Sequence, residues 1–382
     1  MYDAIVIGLG GMGSATVYEL ARRKKKVLGL EQFTIAHNRG SSHGLSRIIR
    51  LAYWESPAYV PLLRRAYVLW GKLEDRCRET LFYKTGSIDA GLPNSDVVLG
   101  SQKSCAEHDL KCTPFDAVAL RRRYPGYRLE DKMIGIFQSD GGFLLPERCV
   151  SNYVIAAQEE GVTIHTGETV TGWEPSPSGV TVNTDVGCYK AQTLVITAGP
   201  WTRQLLPEMQ DFAIPERQAV LWTRPLIPDH FHVGNFPVFN LEAPGDRSKY
   251  YGFPIHGWPS GFKIGKYHHR KEQGNLEELH TQVDDEDERV VREGIRRFFP
   301  DADGARLALE TCLFTNTPDE HFILDTLPQA RHVAVAAGFS GHGFKFCSVV
   351  GEIMADLVTA GSTSHNIGQF SLSRFLRSPL KK

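Results

Sequence analysis

The stretch AIVIGLGGMG, residues 4–13, constrains the fold of this chain more than any other part of it. Its first half is a short apolar run rich in β-branched residues, the pattern of a strand buried on both faces. It leads directly into Gly8, Gly10 and Gly13 in G-x-G-x-x-G spacing. Ala15, Tyr18 and Ala21 then recur at helical intervals, and VLGLE at 27–31 reads as a second buried strand ending in Glu31, eighteen residues after Gly13. In such a unit the first glycine permits a tight turn, the second lets backbone amides approach a pyrophosphate, and the third lets the helix pack on the strand. The helix N-terminus offers partial positive charge to the phosphates. Glu31 can accept both ribose hydroxyls of an adenosine, and an acid at that point argues against a 2′-phosphate. A dinucleotide site follows, but NAD and FAD are not separated by it.

The same strand signal returns far downstream. LVITAG (194–199) and HVAVAAG (332–338) are apolar strands ending in glycine, the latter followed by FSGHGFKF and a helical pattern through Val349, Val350, Ile353 and Leu357. Between them, FYKTGSI, IGIFQ, AVLWTRP, FPVFNL, KYYGFP and GFKIGK alternate apolar with polar or aromatic residues and are separated by Gly/Pro turns, as in an antiparallel sheet. The expected architecture is α/β plus antiparallel β. A discontinuous Rossmann-like nucleotide-binding domain (1–85, 145–215 and 316–382) is interleaved with a mostly antiparallel substrate domain (86–144 and 216–315). Two amphipathic helices are predicted over 59–73 and 284–299, the second running from acids to arginines in keeping with the helix dipole. SPSG at 176–179 reads as a loose turn.

Composition narrows the functional classes. With 382 residues, 42% hydrophobic and 23% charged, the chain can bury about two domains' worth of core. A formal net charge of -1 gives no global electrostatic reason to bind nucleic acid or an anionic membrane. The basic run at 22–26 reads as a solvated helix end. Cys77, Cys105, Cys112, Cys149, Cys188, Cys312 and Cys347 show neither CxxC pairing nor the density of a disulfide scaffold, which favours a reducing compartment and no structural zinc. No apolar run approaches the roughly 20 residues of a membrane span. MYDAIVIG enters a strand with no charged leader, and the closing SPLKK lacks an SKL-type address, so the expected location is cytoplasmic.

Two further stretches carry chemistry. GSSHGLSRIIRLAYWE (40–55) crowds hydroxyl, imidazole and guanidinium groups together, with Arg47 and Arg50 set around two isoleucines, so at least one guanidinium lies near apolar surroundings and wants an anion. ETCLFTNTPDEHFILD (310–325) holds the isolated Cys312 between β-prone residues and a turn. An unpaired cysteine of this kind is either a small buried hydrophobe or a sulfur that does chemistry. Together with GFSGHGFKF, and from GLGGMG to the closing LSRF, these motifs resemble the monomeric sarcosine oxidase family of flavoproteins, which includes N-methyltryptophan oxidase and the peroxisomal sarcosine and pipecolate oxidases. GSSHGxSRIIR is most similar to the peroxisomal branch.

The resemblance implies FAD, attached by a thioether from Cys312 to its 8-methyl carbon. It implies that Gly8, Gly10, Gly13 and Glu31 hold the ADP portion, with Gly11, Met12, Gln32, Val170, Gly199 and Trp201 completing that end. Ser41, Ser42, Arg47, Gly338 and the Gly341, His342, Gly343, Phe344 stretch would line the flavin. Arg50 and Lys345 would grip a substrate carboxylate, Tyr251 and His268 would flank the substrate, and Lys263 would stand beside flavin N5. No metal is implied. The expected activity is oxidation of a secondary-amine amino acid by a monomer, with O2 as acceptor. A flavin dehydrogenase that passes electrons to a partner, and a flavin-binding subunit without activity, stay open. The chain departs from the family pattern at Phe314, where tyrosine is frequent, at Leu45, where several members have aspartate, and at Trp54, where glycine is usual. KIGKYHH holds one residue more than the corresponding family stretch, which sets Tyr267 against His268 for one place in the pocket.

Overall fold

The computed structural model of the chain describes residues 1–279 and 282–376. Strand Tyr2–Ile7 pairs in parallel with Val27–Glu31 on one side and Cys188–Ile196 on the other, at the centre of an eight-stranded sheet. Thr163–Thr166 extends it in parallel beyond Val27–Glu31, and Ala330–Ala337 lies parallel to Cys188–Ile196. The hairpin Val170–Ser176 and Gly179–Thr184, closed at the SPSG turn, continues antiparallel from Cys188–Ile196. Helices Gly11–Arg22, Pro146–Glu159, Cys347–Ala360 and Val60–Cys77 share the largest apolar cluster, where Leu20, Tyr153, Ile353 and Trp70 meet. Leu28, Ile196 and Val335 belong to a separate cluster with Leu206 and Met209. Burial on both faces is why these strands read as unbroken apolar runs rather than alternating ones.

A second sheet of eight strands runs in the order Arg306–Asn316, Ile214–Thr223, Phe262–Lys266, Lys249–Phe253, Val238–Glu242, Ser87–Gly91, Ile134–Gln138, Cys112–Asp116. All its neighbours are antiparallel except Val238–Glu242 with Ser87–Gly91, which are parallel. That junction joins segments between which the chain has returned to the first sheet, so no tight hairpin could link them. Helix Asp285–Phe298 packs here through Val291, Ile295 and Phe298, and Asp284 and Asp287 form a capping box at its start.

Three points differ from the sequence reading. FYKTGSI is divided between sheets: Phe82–Lys84 joins Gly142–Leu144 and Arg47–Ile49 in a small three-stranded sheet, while Ser87–Gly91 belongs to the second. The 40–55 stretch therefore contains a strand, which fixes Arg47 against Leu144. Cys105 and Cys112, read as unpaired, form a disulfide between the end of helix Asp96–Glu107 and the start of strand Cys112–Asp116. The turn between these elements returns the chain on itself, so spacing alone gave no sign of the pairing. Among the described residues no helix is long and apolar enough to cross a membrane, and no His/Cys/Asp/Glu group is arranged to hold a metal. The SPLKK terminus lies outside the described residues.

Candidate active site

A long cavity runs from the carboxyl edge of the parallel sheet to the second sheet. Gly8, Gly10, Gly11 and Met12 line one end, with Glu31 and Gln32 at the tip of the next strand and Val170, Gly199 and Trp201 opposite. Gly8 turns with φ +85°, a conformation that side chains with a Cβ rarely adopt, and a Cβ on Gly13 would overlap the Gly8 carbonyl oxygen. Gly13 does not line the cavity; it lets the helix approach the strand. Glu31 is buried, and its two oxygens accept from the amides of Leu9 (2.8 Å) and Phe33 (3.0 Å), so it also braces the glycine turn.

The middle of the cavity is wired through the 41–47 segment. Ser42 Oγ accepts from the Gly11 amide at 3.1 Å, Ser41 Oγ donates to the Leu313 carbonyl at 2.5 Å, and Arg47 donates to the Ser41 and Ser46 carbonyls at 2.9 Å each. Ser41, Ser42 and Arg47 line the cavity, as do Gly338, Gly341, His342, Gly343 and Phe344 across from them. Cys312 lies between, on strand Arg306–Asn316 opposite Gln218. Its thiol is 5% exposed, so burial pushes its pKa up, while the charges of Arg47 and Lys263 pull it down. Lys263 does not line the cavity. Its ammonium is buried, bonded to the Gly44 carbonyl (2.5 Å), the Ser46 carbonyl (3.1 Å) and Ser46 Oγ (3.0 Å). Burial and the Arg47 charge hold its pKa well below the ordinary lysine value.

Arg50, Lys345, Tyr251, Tyr267 and Phe314 line the far end. Arg50 is fully buried over the ring of Tyr53, bonded to Glu55 at 2.7 Å and Asp89 at 3.3 Å. Burial opposes its charge, but the two carboxylates more than offset this and its pKa is raised. Glu55 is thus an interior ion-pair partner, its side chain 8% exposed. Lys345 donates to the His342 carbonyl at 2.6 Å, and burial with the nearby Arg50 charge pushes its pKa down to about 7. His342 donates from Nε2 to the Glu320 carbonyl at 2.9 Å, which leaves Nδ1 to accept from Tyr53 at 2.6 Å. Burial holds that imidazole neutral, with a pKa of about 3.

The expected position of His268 is corrected. After strand Phe262–Lys266 the chain turns at His268 with φ 52°, which swings its ring away from the cavity onto Glu216, 2.9 Å from Nδ1. Tyr267 takes the place on the cavity wall. The hydrogen bonds to Glu216 and Glu320 raise the His268 pKa to about 9 from 6.5. This gain in stability is fully present below pH 6.5 and is lost as pH rises through about 9. The Glu216 carboxyl, lowered from 4.5 against the opposing effect of burial, loses its share as pH falls. His268→Asn keeps a residue that tolerates a left-handed backbone. Its melting temperature should fall furthest below the unaltered protein's between about pH 5 and 6.5 and converge with it above about pH 9.5; a gap independent of pH would refute the ion pair.

Sequence reasoning missed Ser46, Tyr53, Asp89 and Asn240. Asp89 carried a signal: an acid between Ile88 and Ala90 in an apolar strand, all three buried, needs partners. Of the departures from the family pattern, Phe314 packs with Trp222 and Cys312, and Leu45 adopts φ 71°. Trp54 lies under the Lys249 ammonium at 4.4 Å.

The glycine turn and deep cleft suit a dinucleotide that is held along its length with its reactive end among buried cations. The chain belongs to the FAD dependent oxidoreductase family, whose pattern matches residues 3–357. Within it, the sequence is 40% identical to monomeric sarcosine oxidase of Streptomyces avermitilis, over 99% of each chain. It is 36% identical to N-methyl-L-tryptophan oxidase of Yersinia pestis, over 98% of this chain and 99% of that one. Among solved structures, NikD, an unusual amino acid oxidase essential for nikkomycin biosynthesis, superimposes with a TM-score of 0.84 at 28% identity, over 97% of each chain.

Proposed function

We propose that the protein is an FAD-dependent oxidase of secondary-amine amino acids, acting on sarcosine, another N-methyl amino acid or a cyclic imino acid such as pipecolate. The substrate is oxidised at the carbon next to nitrogen to an imine, and O2 is reduced to H2O2; an N-methyl imine then hydrolyses to aldehyde and amino acid. The observation that carries this reading is that two buried cations, Arg50 and Lys345, line the same cavity as the glycine turn. The full-length relatives named as oxidases support it.

FAD fits the cleft, with Gly8 to Met12, Glu31 and Gln32 holding its adenosine and phosphates, and Ser41, Arg47 and the 338–345 segment lining its ring. It supplies the two-electron oxidation. The protein holds the substrate carboxylate, keeps Tyr251 and Phe314 against the carbon skeleton, and keeps bulk water from the reacting carbon. Attachment through Cys312, a monomeric state, a cytoplasmic location and the division into an FAD domain and a substrate domain are parts of the same reading. Peroxide formed one for one with substrate, across a panel of N-methyl and cyclic amino acids, tests it; electrons appearing only with an added dye or quinone would establish a dehydrogenase instead.

The two cations are not equivalent. Removing Arg50 leaves Glu55 and Asp89 as buried acids without their cation, a loss of about 3–5 kcal/mol in stability. The Lys345 ammonium donates to the His342 carbonyl and lies over the rings of Tyr53 and Phe346 at 5.2 and 5.8 Å; Lys345→Met leaves no buried acid without its cation and so probes the grip on substrate. That variant should bind a carboxylate inhibitor about tenfold or more weakly, the worth of one charge-assisted hydrogen bond. Esters or amides turned over as well as free acids would refute the carboxylate grip.

A further inference from the structure

One wall of the substrate end has a fixed hydrogen-bond direction that none of the assigned roles uses. Asp89 is 1% exposed on strand Ser87–Gly91. Its Oδ2 accepts from Ser101 Oγ at 2.5 Å and from Arg50 Nε at 3.3 Å, and its Oδ1 accepts from Asn240 Nδ2 at 2.8 Å. Burial raises the Asp89 pKa above the ordinary carboxylate value, against the pull of the Arg50 guanidinium, Ser101 and Asn240; with these three donors facing its two oxygens, the carboxylate only accepts. The Asn240 amide must therefore turn its NH2 toward Asp89 and its oxygen away. Asn240 is itself 1% exposed, on the neighbouring strand paired in parallel with Ser87–Gly91, so it has no freedom to flip. The oxygen it turns away accepts from the Tyr267 hydroxyl at 3.3 Å. Tyr267 lines the cavity beside Arg50, its ring 4.9 Å from that of Tyr251.

A phenol has one hydrogen to give and lone pairs to receive. With its hydrogen committed to Asn240, the Tyr267 oxygen can meet a ligand only as an acceptor. We propose that Tyr267, oriented by Asn240 and Asp89, is a specificity-determining residue that accepts a hydrogen bond from the substrate N–H and so selects secondary amines over tertiary ones. This rests on the secondary-amine reading given above. A neutral secondary amine carries one N–H, whereas a neutral tertiary amine has none and leaves the phenol oxygen unpaired. Asn240 and Asp89 touch no substrate; they are positioning residues.

The test compares two planar ring carboxylates that differ only in N–H against O, pyrrole-2-carboxylate and furan-2-carboxylate, titrated into the purified holoenzyme and followed by the flavin absorbance and by calorimetry. The unaltered protein should bind the pyrrole about tenfold more tightly, the scale of one hydrogen bond gained against one left unmade. Tyr267→Phe should bring the two affinities within about twofold by weakening the pyrrole alone. Asn240→Leu, which frees the hydroxyl to rotate, should also lower the ratio while Tyr267 is present. A ratio that survives Tyr267→Phe, an equal loss for both ligands, or no preference in the unaltered protein would overturn the assignment. Failure of either ligand to bind the unaltered holoenzyme would remove the amino-acid reading and this inference together.

Discussion

Cys312→Ser should move all of the yellow colour from the acid-precipitated pellet, where the unaltered protein carries it, into the supernatant. The expectation combines the family resemblance with a placement. Cys312 lines the cavity between the Ser41–Arg47 segment on one side and the 341–344 turn on the other, where the ring of a flavin would lie. Burial outweighs Arg47 and Lys263 and leaves the Cys312 pKa raised, but these two cations make the thiolate, the nucleophilic form, less costly than burial alone would. Cys149 is as deeply buried and is pushed well up by that burial, with only acids and other cysteines acting on it. Cys149→Ser should leave the colour in the pellet, which makes it the control. Colour released by acid from the unaltered protein would mean that FAD is held by hydrogen bonds and packing alone. Because Ser occupies nearly the same volume, a folded, yellow, acid-extractable variant is the expected product, and a colourless one would show that the bond is needed for retention as well as attachment.

How much of this was legible in the sequence depended on the range of the interaction. The parallel sheet was readable because burial on both faces writes continuous apolar runs, and the glycines mark where backbone must approach backbone. Gly8 and Gly13 could be assigned separate tasks before any coordinates. The Asp285–Phe298 helix was readable from its charge gradient for the same local reason. Contacts between distant segments left weaker marks. The strand Arg47–Ile49 is too short to show a period and exists because Gly142–Leu144 lies against it. Asp89 and Asn240 meet only because their strands, some 150 residues apart, are neighbours in the second sheet. Arg50 could be read as wanting an anion, but not that the chain itself supplies two, Glu55 and Asp89. The placement of His268 turned on a single residue in the KIGKYHH stretch, since one step along a turn exchanges an inward side chain for an outward one.

The same dependence on tertiary contacts bears on Lys263, whose replacement by methionine should separate the two halves of the reaction. Substrate-driven bleaching without air should change by no more than about twofold, while O2 uptake by the reduced enzyme should slow by roughly 10²-fold or more, the scale of one preorganised electrostatic group. Negative charge develops on oxygen in the second half alone, so a fixed cation nearby favours that half selectively. The structure supplies the fixing. Three oxygens, two from carbonyls and one from Ser46, each stand within 3.1 Å of the Nζ, one for each hydrogen of an ammonium. The rings of Phe253 and Trp222 lie at 4.5 and 5.1 Å from it. Such a cage has no need to reorganise when charge appears. Because burial holds the Lys263 pKa well below that of a free lysine, its charge is lost on raising the pH before a free lysine would lose its own. O2 uptake by the unaltered enzyme should therefore decline with rising pH below the ordinary lysine value of 10.5, and the Lys263→Met variant should show no such decline. His268 is not a rival source of charge, since its ring faces Glu216 outside the cavity. If O2 uptake were unchanged in the variant, the role would pass to Arg47, the cation that does line the cavity beside Cys312.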